Sequence, residues 1–286
     1  MRWPHYDHVF FDCDSTLTAV EGIDVLADAS GKGWRIGVLT QAAMEGQLDL
    51  EEIYDKRLRA LRPTRRQIEQ IRQVYKQHIV EDAAQVIQAL QDWGHQVYII
   101  SGGLAEPVIQ FGLFLGIPRG NIRAVEVAYN ALSGDWWQHE ELRGRDESYL
   151  TYDHGDLTVS DGKARIVREL LQGKRGRSLL VGDGMSDLSA GTAVDLFVGY
   201  GGVVSRSSVL AKAPAFIHTP SLAPLLTLAA GPGPFRQPDQ SPYQPLLDKA
   251  IQLVSQGAIT IQDEQLSAKF SEAFAFARPS VYSRPH

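Results

Sequence analysis

With 286 residues, 44% of them hydrophobic, the chain can bury the core of one large or two modest domains. Its net charge of -6 argues against a general nucleic-acid binder, and its single cysteine, Cys13, excludes an intrachain disulfide and a thiolate-built metal site. No apolar stretch reaches the length of a membrane span and none precedes the first expected strand, so a soluble cytoplasmic protein is expected.

The first element is a short strand over Val9, Phe10 and Phe11, β-branched or aromatic and free of charge, as in a central strand buried on both faces of a parallel sheet. It ends in two carboxylates, Asp12 and Asp14, at the sheet edge where open α/β folds place their chemistry. So close a pair is costly unless a cation is shared. A turn with a helix cap over Asp12, Asp14, Ser15 and Thr16 is the plainer alternative.

Residues 21–84 read as helical, with no convincing strand, and suggest a helical module inserted after the first strand. One helix is expected over 22–29 and a second over 36–44. A third, opened by Asp49 and Glu52, runs to the stop at Pro63, and a fourth is opened by the capping box of Thr64 and Gln67.

From residue 82 helices and strands alternate. A helix over 82–93 closes at Gly94, and a strand over 96–100 runs into Ser101, Gly102 and Gly103 before a helix over 104–115. Such a turn can bind an oxyanion, although an ordinary strand-to-helix loop is the simpler reading of the tripeptide alone. A strand is expected over 122–129 and hairpin strands within 135–155, where Trp136, Trp137, Tyr149 and Tyr152 cluster. His139, Glu140, Glu141 and His154 in that stretch lack metal-ligand spacing and read as surface.

Lys163 opens a helix over 163–171, where a cation opposes the helix dipole; it is either solvated or wanted for a partner. The strand over 178–181 then leads into a second acidic loop with Asp183 and Asp187, repeating the geometry of the first. Two acid loops at the ends of two parallel strands can hold one hard divalent cation, and oxygen ligands suit magnesium. Strands over 195–198 and 215–218 complete the set. Beyond Gly231 a proline-rich linker precedes helical patterns over 246–255 and 263–276, whose Phe270, Phe274 and Phe276 need cover from the core or a second copy of the chain.

Asp12-x-Asp14-x-Thr16, Ser101-Gly102-Gly103, Lys163 and Gly182-Asp183-Gly184-x-x-Asp187, in this order, resemble the motifs of the haloacid dehalogenase superfamily of phosphatases. Within it the pattern is similar to the phosphoserine phosphatase family through Glu21-Gly22-Ile23-Asp24, Ala43-Met44-x-Gly46 with Arg57 beyond, and residues 197–202. The resemblance covers roughly residues 7–230.

It implies an α/β fold, a Rossmann-like parallel sheet core with an inserted helical cap and a helical C-terminal tail. The divisions are core over 1–18, cap over 19–84, core over 85–230 and linker with tail over 231–286. It also implies Asp12 as nucleophile and Asp14 as general acid and base. Mg2+ would be held by Asp12, the Asp14 backbone carbonyl and Asp183, with Asp187 in support. Ser101, Gly102, Gly103 and Lys163 would bind the phosphoryl group, and Glu21, Arg57 and Met44 an amino-acid head.

The expected function is magnesium-dependent hydrolysis of O-phosphoserine through an aspartyl-phosphate, a step of serine biosynthesis. The partner is then a small phosphate ester, with no nucleic acid or membrane and with homo-oligomerisation through the tail open. The alternatives are a phosphatase for a sugar or polyol phosphate and a non-catalytic binding or regulatory protein on the same fold. Asp49-Leu50 stand where the family usually has Pro-Phe, and the connection from Ser101 to Lys163 is longer than the family norm; both bear on the pocket.

Overall fold

Val9 and Phe11 are buried in one apolar layer and Phe10 in another, and this alternation along the first strand divides the molecule. The computed structural model describes residues 3–31, 33–34, 36–38, 50–130, 147–159, 161–236 and 241–275. Met44, Asp49, residues 136–141, Phe276 and most of the helix expected over 36–44 lie outside these residues.

In chain order, β1 (His8–Phe11) is followed by helices α1 (Gly22–Ala29), α2 (Leu50–Leu61), α3 (Arg65–Gln77) and α4 (Ala83–Asp92). Then come β2 (Gln96–Leu104), α5 (Ala105–Phe114), β3 (Ile122–Val125), β4 (Val127–Asn130), β5 (Ser148–Tyr152), α6 (Gly162–Leu171) and β6 (Ser178–Gly182). The remainder comprises α7 (Met185–Ala190), β7 (Leu196–Tyr200), α8 (Ser207–Leu210), β8 (Ala215–Ile217), α9 (Leu225–Ala229), α10 (Gln244–Ser255), β9 (Ile259–Ile261) and α11 (Glu264–Ala273).

The central sheet has the order β3-β2-β1-β6-β7-β8-β9, parallel except for β9. Helices cover both faces, as a parallel sheet requires. On one side Val9, Phe11, Val97, Ile99, Leu179 and Val181 meet α3, α4, α5 and the tail helices; on the other, Phe10, Tyr98, Ile100 and Leu180 meet α6. Phe10 and Phe11 are fully buried, and burying a side chain of that size contributes about 1.5–3 kcal/mol.

β1 lies between β2 and β6, so the chain reverses its direction of sheet growth beside it, which creates a crevice at the strands' carboxyl ends. Phe11 is in register with both Ile99 and Val181. Asp12 and Asp183 therefore leave the sheet side by side, next to Ser101, which is still within β2.

The cap candidates are ordinary amphipathic helices. Thr64 and Gln67 form the expected reciprocal capping box on α3, which buries Ile68, Ile71 and Tyr75 along one stripe. These helices follow β1 and pack back on the core, with α1 against α3 and α3 against α5.

Two expectations change. The strand over 122–129 is two strands: β3 extends the central sheet, and β4, beyond Glu126, pairs antiparallel with β5 in a separate ribbon. The tail is also not purely helical, because β9 joins the sheet edge beside β8. Phe270 and Phe274 find their cover within the same chain: the Phe270 ring lies 5.2 Å from Trp3, and the Phe274 ring 5.5 Å from Phe235. Lys249 of α10 adds contacts of 2.6 Å to both Glu81 and Asp82.

Candidate active site

The first acidic loop is shaped by its backbone. Asp12 N–H still donates to Val181 O at 3.0 Å, in continuation of the sheet, and the Cys13 carbonyl then accepts from Leu17 N–H at 2.8 Å and from Thr18 N–H at 3.1 Å. Ser15 takes a φ of 55° in this turn, a left-handed conformation that is uncommon for a residue with a Cβ. The turn separates the two carboxyls. Asp12 faces the end of β6, while Asp14 Oδ1 accepts a 2.5 Å hydrogen bond from the Tyr75 hydroxyl of α3.

The second loop is built around Asp187. A Cβ on Gly182 would lie 2.3 Å from the Asp187 carboxyl carbon, so only glycine leaves that space. Asp187 Oδ2 accepts from Gly184 N–H at 3.0 Å, and its Oδ1 lies 2.7 Å from Lys163 Nζ. The same ammonium is 2.8 Å from Asp12 Oδ1. Lys163 is thus not solvated, as one reading of the sequence allowed, but buried between two acids. A Cβ on Gly162 would lie 1.4 Å from the Asp156 carbonyl oxygen, so the residue before Lys163 must be glycine for the helix start to pass that close.

Asp183 lies in the same cluster. Its Oδ2 meets Arg206 Nε at 2.9 Å and its Oδ1 accepts from Thr16 at 3.4 Å. Asp12, Asp183 and Asp187 each present a carboxylate oxygen within 4.8 Å of the others, and all three are buried. An oxygen-only set of this kind suits a hard divalent cation such as magnesium. The Asp14 side chain stands outside the cluster, which leaves at most its backbone carbonyl for a metal.

Charge is distributed accordingly. Burial opposes the charge on Lys163, but Asp12 and Asp187 outweigh it and raise the ammonium well above its ordinary value. Burial, and after it Asp187, push Asp12 upward, with Lys163 opposing. Burial and Asp187 raise Asp183 to about 6 against the pull of Arg206. Burial and the nearby Glu21 charge raise Asp14 to about 8, despite the hydrogen bonds from Tyr75 and the Gly22 N–H. A carboxyl in that range can hold a proton at neutral pH and release it during a reaction.

These groups open onto one cavity of ≈ 390 Å³ that also exposes Ser101, Gly102, Gly103, Glu21 and Arg57. Of the residues expected to act on substrate or metal, Met44 lies outside the described residues and the others all line this cavity. Ser101 is buried and its Oγ accepts from Gly103 N–H at 2.9 Å. Glu21 precedes α1 and accepts from Ser15 at 3.0 Å, with Arg206 3.6 Å away. Arg57 of α2 is lowered by burial, while Asp24 and Glu21 support its charge.

Sequence reading missed Arg206, Tyr75 and Tyr54, and gave Asp24, named there only as part of a motif, no role. Arg206 had a signal: it follows β7 at the same sheet edge as the acid loops. Tyr75 had none, since it occupies an ordinary apolar position of α3. Tyr54 lines the cavity one helical turn before Arg57, its ring centroid 5.0 Å from that of Tyr152. Its hydroxyl is buried without a hydrogen-bond partner among the described residues.

The family model of haloacid dehalogenase-like hydrolases matches residues 6–195. The phosphoserine phosphatase of Mus musculus is 30% identical over 212 residues, which cover 74% of this chain and 88% of that protein. The chloroplastic phosphoserine phosphatase of Arabidopsis thaliana is 31% identical over 215 residues, covering 74% of this chain and 68% of that protein. Among solved structures, a phospho-aspartyl intermediate analogue of phosphoserine phosphatase superposes with a TM-score of 0.64 at 22% identity, covering 78% of this chain and 98% of that one. At that identity the structural likeness speaks for the fold.

Proposed function

Since the chain belongs to the haloacid dehalogenase-like hydrolases and is a phosphoric monoester hydrolase, we propose that it hydrolyses O-phosphoserine to serine and phosphate. The observation that carries this reading is the single cavity in which Asp12, Asp14, Lys163 and Asp183 meet Glu21 and Arg57. One end is built for a phosphoryl group and the other for a zwitterion.

In this reading the Asp12 carboxylate attacks phosphorus, the bond from phosphorus to the serine oxygen breaks, and Asp14 gives its proton to that oxygen. Asp14, now a carboxylate, takes a proton from the water that attacks phosphorus in the aspartyl-phosphate, which frees Asp12 and releases phosphate. The raised Asp14 fits the first step. Mg2+, when held by Asp12, the Asp14 backbone carbonyl and Asp183, supplies positive charge against the phosphoryl oxygens. Lys163 adds a fixed cation beside Asp12, and Asp187 holds Lys163 in place. Ser101, Gly102 and Gly103 receive the phosphoryl oxygens with hydroxyl and backbone donors.

The helices over 19–84 act as a cap that excludes water from the intermediate. Glu21 takes the substrate ammonium and Arg57 grips the carboxylate. We place the reaction in serine biosynthesis and in the cytoplasm; among the described residues no helix is long and apolar enough to cross a membrane.

The test is phosphate release by the full chain with Mg2+ on O-phosphoserine, glycerol phosphate and a sugar phosphate, for wild type and Arg57→Ala. Wild type should prefer phosphoserine, and the variant should lose about 100-fold in kcat/KM on that substrate alone. A wild-type preference for glycerol or sugar phosphate, indifferent to the variant, would overturn the substrate assignment.

A further inference from the structure

Tyr54 carries a polar atom that the chemistry described above does not use. The residue lines the cavity, and its hydroxyl is buried with no hydrogen-bond partner among the described residues. A buried hydroxyl without a partner loses its hydration for nothing in return, and such groups in native proteins call for an explanation. The ring is not loosely placed, because Tyr152 packs against it at 5.0 Å and 57°.

We propose that the Tyr54 hydroxyl determines substrate specificity by donating a hydrogen bond to the carboxylate of the bound phosphoamino acid, beside Arg57; this rests on the phosphoserine reading above.

Three observations select the carboxylate. The phosphoryl end already has its donors in Lys163, Ser101 and the two glycines that follow it, all lining the same cavity. The ammonium needs acceptors, and Glu21 and Asp24 line the same cavity to supply them. Tyr54, by contrast, is a donor: burial, then the charge of Asp14, raise its hydroxyl well above the ordinary tyrosine value, so it keeps its proton. Residues three apart on a helix share a face, and Tyr54 and Arg57 both line this cavity and feel one another's charge. A donor beside a cation is a site for an anion. The Tyr152 packing fixes the ring beforehand, which spares the substrate the cost of ordering it.

The experiment uses Tyr54→Phe, which removes only the oxygen, in the full chain with Mg2+. Two substrates are compared: O-phosphoserine and O-phosphoethanolamine, which keeps the ammonium and phosphate and lacks the carboxylate. The expected result is a rise in KM for phosphoserine of about tenfold with kcat within about twofold. The ratio of kcat/KM for phosphoserine over phosphoethanolamine then falls by about tenfold. An unmoved ratio in a wild type that prefers phosphoserine overturns the role of Tyr54 and leaves the substrate reading standing. Equal losses on both substrates, or a loss confined to kcat, overturn it in favour of a structural role. A wild type with no preference for phosphoserine over phosphoethanolamine overturns the substrate reading itself, and the Tyr54 assignment with it.

Discussion

Lys163 Nζ stands 2.8 Å from Asp12 Oδ1 and closes the same grip on Asp187 Oδ1 at 2.7 Å, so one buried ammonium ties the two acid loops together. Replacing Lys163 with Met leaves two buried carboxylates without their cation. Breaking a buried pair from one side costs about 3–5 kcal/mol, and losing the positive charge at the phosphoryl group costs about 100- to 1,000-fold in turnover. Urea unfolding of metal-free protein and steady-state kinetics with Mg2+ read the two effects separately. An unchanged urea midpoint would contradict the contact.

Asp12→Asn preserves size and removes the attacking charge. Turnover should fall by several orders of magnitude on every phosphate ester, while the circular-dichroism spectrum stays that of the wild type. Wild type stripped with a chelator should lose turnover and regain it with added Mg2+. Full activity after exhaustive chelation would refute the metal requirement.

For Asp14 the informative comparison is between leaving groups. An alkyl phosphate needs its oxygen protonated on departure, whereas p-nitrophenolate does not. Asp14→Asn should therefore slow the single-turnover phosphorylation of the enzyme more with phosphoserine than with p-nitrophenyl phosphate. Equal slowing would count against the acid role.

His95 supplies a pH-dependent contribution to stability far from the chemistry. It is buried, and burial holds its imidazole below the ordinary histidine range despite the hydrogen bond to the Tyr6 carbonyl. The unfolded chain therefore takes up a proton at a pH where the folded one still resists it. Stability contributed by His95 is present above the unfolded value of about 6.5 and is lost as the pH falls through the lower folded value. Melting temperatures of wild type and His95→Gln from pH 7.5 to 5 should show a steeper acid decline in the wild type. Parallel curves would show that another group sets the decline.

Phe270 tests the tail. It lies against Trp3 and Phe274 and is nearly buried, so Phe270→Ala should cost about 3–5 kcal/mol in unfolding free energy. kcat/KM per folded molecule should stay within about twofold, because no described tail residue lines the active-site cavity. A stable variant with poor turnover would bring the tail into the active site.

Much of this was legible before any coordinates. The uncharged run of Val9, Phe10 and Phe11 announced a central strand, and the strand-then-acid pattern at Asp12 and again at Asp183 announced the edge where the buried acid cluster and its cavity lie. What stayed hidden depends on partners distant in sequence. Ile259, Thr260 and Ile261 are too few to show a period, and they become a strand only because β8 offers an edge. Likewise Glu126 looks like one residue of a continuous strand, until β5 claims the half that follows it. Tyr75 and Tyr54 sit at positions where an aromatic is unremarkable packing, and only the fold shows that one hydroxyl reaches Asp14 and the other has no partner among the described residues.

The antiparallel pairing of β9 with β8 also sets a timetable for biosynthesis. Ile217 pairs with Ile259, so the ribosome must add about forty more residues before the edge left by β8 is covered, a wait of about 2–8 s at usual elongation rates. During that interval the nascent chain can already hold every residue of its active site while offering an open row of backbone donors and acceptors to its neighbours. β9 thus acts as the late-arriving seal on a catalyst assembled earlier. Premature termination anywhere between the two strands would release a chain prone to sticking to others through that edge.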